Sequence, residues 1–162
     1  MKKTNHKGFT LIELLLVIAV IVALAVTVFV ALNPATRLAQ ARDARRTADV
    51  DAILTAAQQY VVDNAGVLPA GISTTVDTMI GTGPNSPAYL VNTGGCNIPT
   101  SSATFNANSS TTFAKYFVSA PLDPATGTTA DTFYSITASS TTGIITIKAC
   151  AVEKLSQIWE SR

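Results

Sequence analysis

The sequence predicts an α+β fold in which a long N-terminal α-helix packs on a small antiparallel β-sheet. A predominantly apolar run over residues 9–32 follows a short basic leader. A helical pattern with one apolar face comes next, and β-branched and aromatic residues cluster towards the C-terminus. We therefore expect the first half of the helix to span a membrane and its amphipathic second half to cover the sheet.

The composition limits both the size of the fold and the class of partner. A chain of 162 residues is long enough for one modest domain and a membrane helix. Only 13% of the residues are charged and 48% are hydrophobic, which is a low charge content for a soluble protein. The net charge of +1 argues against nucleic acid as a bulk electrostatic partner, because no basic excess exists to release counterions.

The apolar run is predicted to be a membrane anchor that stays on the chain. As an α-helix, residues 9–32 would extend about 36 Å, enough to cross a hydrocarbon core of about 30 Å. No small-residue cleavage site with a polar flank ends the run, as a secretory signal peptide would require. The basic leader favours an orientation with the leader in the cytoplasm and the C-terminal part outside. Four arginines beyond the run oppose this orientation, but Asp43 and Asp49 lie among them.

Glu13 is the one charged residue within the apolar run. A carboxylate in a membrane helix costs about 3 kcal/mol on insertion scales unless it faces water or meets a partner. An intramembrane acid therefore points to a function that supplies such a partner. The alternative is that Glu13, being close to the helix end, extends to the lipid headgroups.

The residues around Glu13 match a known signal. Residues 7–14, KGFTLIEL, resemble the class III signal of type IV pilins and of the pilin-like proteins of secretion and competence systems. The resemblance implies that a prepilin peptidase cuts between Gly8 and Phe9 and then methylates the new Phe9 amine. It also implies that the carboxylate of Glu13 serves filament assembly by neutralising the Phe9 amine of a neighbouring subunit.

The resemblance implies the pilin fold and a division of the chain into four parts. Residues 1–8 would be the cleaved basic leader, and residues 9–32 the transmembrane and assembly helix. Residues 33–64 would be the amphipathic half of the long helix, and residues 65–162 a small globular β-rich domain.

The second half of the helix has a predicted beginning, face and end. Pro34 removes a backbone donor and disfavours helical geometry at Asn33, so we expect an interruption there. Residues 64–66, Asn-Ala-Gly, supply a stop signal. The predicted buried face consists of apolar residues at spacings of three and four: Val50, Ile53, Leu54, Ala57, Tyr60 and Val61.

Charges on the same helix allow two interpretations. Asp43 and Arg46 lie at i,i+3, and Arg45 and Asp49 at i,i+4, so both pairs can form within the helix. Contact with anionic lipid headgroups or with a neighbouring subunit is the alternative, and the sequence favours neither.

Strand signals are concentrated near the C-terminus. Residues 132–137 and 143–148 predict an antiparallel hairpin, and residues 114–118 a third strand. Three apolar residues of the tail lie at helical spacing and are expected to pack back on the domain: Leu155, Ile158 and Trp159.

The two cysteines predict one disulfide bond, provided that the C-terminal part is exported. A bond between Cys96 and Cys150 would close a loop of about 55 residues and contribute roughly 4 kcal/mol in the chain-entropy model. The alternative is two buried free thiols.

Enzyme chemistry is not predicted. The single histidine, His6, lies in the leader, so a processed chain could not perform catalysis that depends on a serine–histidine or cysteine–histidine pair. No cofactor or metal motif is present. Asp123 and Asp131 flank residues 124–127, and major pseudopilins often hold calcium in a loop of this region. A plain turn is the favoured interpretation here, because two acids without further ligands make a weak site.

The resemblance implies a structural subunit of a type IV pilus-like filament, polymerised through its N-terminal helix. Its partners would be further copies or other pilins, prepilin peptidase, an inner-membrane assembly platform with its ATPase, and the lipid bilayer before assembly. Nucleic acid would be a partner only in a DNA-uptake pilus. The chain would begin as a single-pass cytoplasmic membrane protein and end in a surface filament or a periplasmic pseudopilus.

Two alternatives remain from the sequence. One is a pseudopilin of a type II secretion-like system, because residues 60–69 also resemble the end of the first helix in major pseudopilins. The other is a membrane-anchored binding protein that never polymerises, for which Glu13 would serve no purpose.

Overall fold

A computed structural model describes residues 8–82, 93–98, 105–107, 115–116 and 119–162. The chain divides into two compact units, Met1–Leu38 and Ala39–Arg162, which are considered separately below.

The first unit contains an exposed apolar helix. Helix α1 spans Leu11–Leu32, and none of its residues is buried. It is followed by Asn33, whose left-handed backbone (φ 40°, ψ 72°) separates it from helix α2, Pro34–Asp63. Proline suits the first position of a helix, where its missing N–H needs no partner. The predicted interruption at Pro34 is therefore confirmed. Among the described residues, this helical stretch alone is long and apolar enough to cross a membrane, by length and composition only.

In the second unit, helix α2 presents the predicted apolar face. Five residues of that face are buried in the main core: Val50, Ile53, Leu54, Ala57 and Tyr60. Val61 is partly buried against the same core. The helix ends where expected, because the N–H of Gly66 donates to the carbonyl of Val61 (2.8 Å) across a left-handed residue, Ala65.

A four-stranded antiparallel sheet forms the other layer of this unit. Its strands are β1 (Thr78–Met79), β2 (Tyr134–Ala138), β3 (Ile145–Ala149) and β4 (Ile158–Ser161), and their order in the sheet is the order in the sequence. The predicted hairpin is confirmed, with Ile136 opposite Ile147. An α+β fold with a helix on a small antiparallel sheet is therefore what the chain adopts.

Two predictions about strands need correction. Lys115 and Tyr116 are not in a strand, and the rest of the segment 114–118 lies outside the described residues. The tail, which the spacing predicts as helical, instead contains strand β4, which pairs with the edge of β3 opposite β2. Only Ile158 packs into the core, whereas Leu155 and Trp159 are exposed. Three apolar residues are too few to distinguish the two periods, and pairing with β3 decides the outcome.

The apolar side chains of the sheet belong to two hydrophobic clusters. The larger cluster joins α2 to the inner face of β2, β3 and β4. The smaller one contains a disulfide bond between Cys96 and Cys150, with Cα atoms 5.4 Å apart, packed with Met79, Ile98 and Phe133. The disulfide attaches the segment 93–98 to the end of β3, as the cysteine count predicted.

Candidate functional site

The residues before helix α1 form an open, non-helical segment. Gly8, Phe9 and Thr10 are exposed and precede the first helical residue, Leu11. A Cβ atom added to Gly8 would meet no atom within 4 Å, and 77% of the surface of Phe9 is accessible. A protease can therefore approach the Gly8–Phe9 bond without unfolding any of the described structure.

Glu13 is held against the start of its own helix. Its Oε2 accepts hydrogen bonds from the backbone N–H of Thr10 (2.9 Å) and from the Thr10 hydroxyl (2.7 Å). The backbone N–H of Glu13 in turn donates to Oγ1 of Thr10 (3.3 Å). This reciprocal arrangement is a capping box, which satisfies N–H groups that the first helical turn leaves without intrahelical partners. The carboxylate thus binds the residue that follows Phe9 in the chain.

Apart from Glu13 and Thr27, every residue of helix α1 is apolar. Large side chains such as those of Leu15, Ile18, Val22 and Phe29 are exposed along its whole length. A continuous apolar surface of this size is unfavourable in water and indicates contact with lipid or with other helices.

Comparison with known proteins agrees with this geometry. Residues 3–29 match the family model described as the prokaryotic N-terminal methylation motif. The chain carries the signature of type IV pilins and pseudopilins. The match covers Gly8, Phe9 and Glu13, the three residues that the sequence singled out for processing and assembly, and most of helix α1. No curated protein and no solved structure matches the chain significantly.

Beyond the pilin signature, the second unit contains a buried ion cluster that the sequence did not reveal. The side chain of Arg46 is completely inaccessible to solvent. Its Nη1 donates to Oδ1 of Asp43 (2.7 Å) and to Oε1 of Glu153 (3.1 Å). Its Nε and Nη2 donate to the two carboxylate oxygens of Asp123, at 2.6 and 3.1 Å. Arg42 adds a two-pronged contact with Glu153, at 2.6 and 2.5 Å.

Backbone groups complete the cluster. Asp43 accepts hydrogen bonds from the N–H groups of Glu153, Lys154 and Leu155, at 2.7–3.1 Å. Asp123 accepts from the N–H groups of Ala125 and Thr126, both at 2.9 Å. Helix α2, the 123–127 turn and the segment before β4 are thereby joined at one point.

The cluster controls the ionisation of its members. Burial raises the pKa of Asp43, but hydrogen bonds from the Lys154 and Glu153 N–H groups and from Arg46 outweigh it, so the pKa is below its ordinary value. Burial also raises the pKa of Asp123, but the Arg46 guanidinium and the N–H groups of Ala125 and Thr126 together lower it below its ordinary value. Burial lowers the pKa of Arg46, but hydrogen bonds to Asp123 and Asp43 have a larger, opposite effect, so the pKa of Arg46 is above its ordinary value. All three groups are therefore charged at neutral pH.

The sequence left open whether the charges of helix α2 pair within the helix or contact lipid headgroups or a neighbouring subunit, and the structure answers this in part. Both intrahelical pairs are present, Asp43 with Arg46 and Arg45 with Asp49. The first pair is buried and bonded to residues far away in the chain, whereas Arg45 is largely exposed. The spacing of Asp43 and Arg46 was a usable signal for a pair, but it gave no sign of Asp123 or Glu153.

The two acids considered for calcium lie in different environments. Asp123 forms the predicted turn, with the Gly127 N–H donating to its carbonyl (3.0 Å), and its carboxylate is bonded to Arg46. Oδ1 of Asp131 is buried and has no hydrogen-bond partner in the part of the chain that the structure describes. The described residues hold no group of three or more His, Cys, Asp or Glu side chains placed for a metal ion.

Proposed function

We propose that this chain is a structural subunit of a type IV pilus-like filament. In this proposal a prepilin peptidase removes residues 1–8 and methylates Phe9, and the processed chain polymerises through helix α1. The observation that carries the proposal is the fully exposed apolar helix that begins three residues after Gly8, within the segment that matches the methylation motif.

The exposed surface of α1 supports polymerisation. Before assembly the helix would lie in the cytoplasmic membrane, where its apolar side chains contact lipid and its backbone is satisfied internally. In a filament, equivalent helices would replace lipid as neighbours, because no described part of the chain buries α1. The second unit, closed by its own core and disulfide, would remain outside the membrane.

Glu13 would guide this exchange. The carboxylate already binds polar hydrogens at the helix start, those of Thr10. Cleavage after Gly8 creates a positively charged amine on Phe9, and in low dielectric a carboxylate gains most from such a partner. A neighbouring copy supplies this amine when the helices pack, so an acid that is unfavourable in lipid becomes favourable in the filament.

A pseudopilin of a type II secretion-like system is the second candidate. The end of α2 supports it, since residues 60–69 resemble the corresponding part of major pseudopilins and form a helix stop at Gly66. Both candidates require the same processing, assembly platform and ATPase. A membrane-anchored binding protein that does not polymerise is less favoured, because it would leave the charge of Glu13 without a cationic partner.

Electron microscopy of sheared surface material from cells that make the protein tests the proposal. Wild-type cells should yield filaments that contain the processed chain. Glu13→Gln is the sharpest variant, because glutamine can still form the capping box but lacks the charge. It should be processed and remain in the membrane without entering filaments, and Thr10→Ser, which keeps the cap, should assemble normally. A wild-type filament yield from Glu13→Gln would refute the charge-pairing role.

Neighbouring genes separate the two candidates. A secretin together with a secretion ATPase would favour the pseudopilin, and a retraction ATPase would favour the surface pilus. Filaments that appear on cells at native expression would favour the pilus as well, because a pseudopilus stays in the periplasm.

A further inference from the structure

The outer face of the sheet carries an exposed aromatic residue where polar residues are the rule. Along β2, β3 and β4, alternate side chains enter the main core, and the others lie on the opposite face. That outer face includes Thr137, Thr146 and Lys148, which are partly exposed. Trp159 lies beside them on β4 with 54% of its surface accessible, although the tryptophan side chain is among the largest apolar groups available for burial.

The strand register places Trp159 directly beside Lys148. Ile145 and Arg162 exchange two backbone hydrogen bonds, so bonded pairs alternate along β3 and β4 from that point. Lys148 and Trp159 are opposite each other at a non-hydrogen-bonded position, where side chains approach most closely. Trp159 and Lys148 are therefore close cross-strand neighbours, and 54% of the Trp159 surface is accessible.

These residues line a shallow cleft of about 360 Å³, a volume that suits a small ligand. Besides Lys148 and Trp159, the lining consists of Gly95, Thr146 and Gln157. The wall at Gly95 is fixed by its neighbour Cys96, which is bonded to Cys150 just after β3. Gly95 has φ 81°, and a side chain there would collide with Gln157. Glycine at this position thus allows the amide of Gln157 to lie at the rim.

The charge of the cleft is balanced. The Lys148 ammonium donates to Oδ2 of buried Asp77 (2.9 Å) and to the Gly95 carbonyl (3.3 Å). Asp77 is itself held by the Asn97 N–H (2.6 Å) and the Thr137 hydroxyl (2.9 Å). None of the five lining residues therefore presents an uncompensated charge, which disfavours a phosphate or a carboxylate as the ligand.

We propose that the Trp159 cleft binds a neutral saccharide. A pyranose ring has an apolar C–H face that can stack on an exposed indole, and its edge carries hydroxyl groups that donate and accept hydrogen bonds. The Gln157 amide and the Thr146 hydroxyl supply both kinds of partner beside the ring. An apolar peptide would leave these groups unsatisfied. The site lies in the second unit and does not depend on whether the chain polymerises.

The single tryptophan makes the site directly observable. The full chain, held in a zwitterionic detergent without a sugar headgroup, is titrated with cellohexaose, maltohexaose and fully N-acetylated chitohexaose while Trp159 emission is recorded. At least one of these should produce a saturable blue shift. No saturable change with any of the three overturns the proposal.

Variants distinguish the cleft from other surfaces. Saturation-transfer NMR on the saccharide protons reports binding without tryptophan, and Trp159→Ala should weaken it at least about tenfold. Gln157→Ala leaves the core untouched and should weaken it about threefold or more, which keeps the test valid if Trp159→Ala misfolds. Leu155→Ala is the matched control, because Leu155 is equally exposed outside the cleft, and it should bind as the wild type does. Equal binding by Gln157→Ala and the wild type would overturn the assignment.

A second role for Trp159 would also be visible. If the indole were a contact between subunits, its emission would change with protein concentration in the absence of sugar, and Trp159→Ala would reduce the filament yield. Either result would overturn the saccharide proposal without affecting the proposed assembly through Glu13. Normal filaments from Trp159→Ala that no longer bind saccharide would support it.

Discussion

Arg46 and Asp123 are bonded to each other in the protein interior although 77 residues separate them in the chain. Both carboxylate oxygens of Asp123 accept from the guanidinium, and both side chains are inaccessible to solvent. Arg46 also binds Asp43 and Glu153, so one cation contacts three buried or partly buried acids. The cluster thereby joins the helix to two separate segments of the globular unit.

Arg46→Met is therefore expected to destabilise the globular unit by about 3–5 kcal/mol, since it leaves buried carboxylates without their cation. Thermal unfolding of the full chain in detergent, followed by near-ultraviolet circular dichroism, would measure the loss. Arg45→Met is the matched control. Arg45 is the adjacent residue, 66% of its side chain is exposed, and its contact with Asp49 is 3.8 Å long. That variant should lose no more than about 0.5 kcal/mol. Equal losses would mean that the cluster has no special role.

Low pH is expected to destabilise the globular unit through the acids of the same cluster. The pKa values of Asp43 and Asp123 are lower in the folded chain than their ordinary value of about 3.9. A group with a lowered folded pKa contributes stability above its unfolded pKa and loses it as the pH falls through the folded value. The melting temperature should therefore be nearly constant from pH 7 to 5 and decrease below about pH 4.

The Arg46→Met variant provides the control for this pH dependence. Without the guanidinium, backbone N–H groups remain to oppose the effect of burial on Asp43 and Asp123, but the pKa values of both carboxyl groups rise and protonation relieves unpaired charge. The difference in melting temperature between the wild type and Arg46→Met should consequently shrink as the pH falls. A constant difference down to pH 3 would show that ionisation of these acids does not couple to folding.

The sequence predicted those features that depend on neighbours in the chain. The apolar face from Val50 to Val61 shows in its spacing, and the interruption at Pro34 follows from the covalent structure of proline. The capping of helix α1 by Thr10 and Glu13 is equally local, since it lies within four residues, but it was not among the predictions. The processing and assembly residues could be singled out because their pattern is contiguous.

Features that depend on distant residues could not be predicted in the same way. Asp123 looked like a turn residue, which it is, but its bond to Arg46 arises only when the turn reaches helix α2. Strand β1 contains two residues, too few to show any period. The helical prediction for the tail is wrong because hydrogen bonding to the free edge of β3 decides its conformation.

The disulfide bond is expected to contribute substantially to stability. Cys96 and Cys150 are 54 residues apart, and their bond restricts the unfolded chain while attaching the segment 93–98 to the sheet. The double variant Cys96→Ala/Cys150→Ala should be less stable by about 2–5 kcal/mol in the same unfolding assay. Reductant should lower the melting temperature of the wild type to about that of the double variant, and it should leave the melting temperature of the double variant unchanged. A response of the double variant to reductant would point to a different cause.

Processing should depend on the size of residue 8. Gly8→Val is expected to leave an unprocessed chain in the membrane, because a branched side chain would keep the peptidase away from the backbone next to Phe9. The substitution should not disturb the fold, since no atom lies within 4 Å of an added Cβ. Mass spectrometry of the membrane-bound chain would detect retention of residues 1–8 and absence of the added methyl group. Gly8→Ala, which adds a single carbon, should be cleaved at least in part. Normal maturation of Gly8→Val would refute cleavage at this bond, whereas a block of both variants would indicate that the peptidase tolerates no side chain at all.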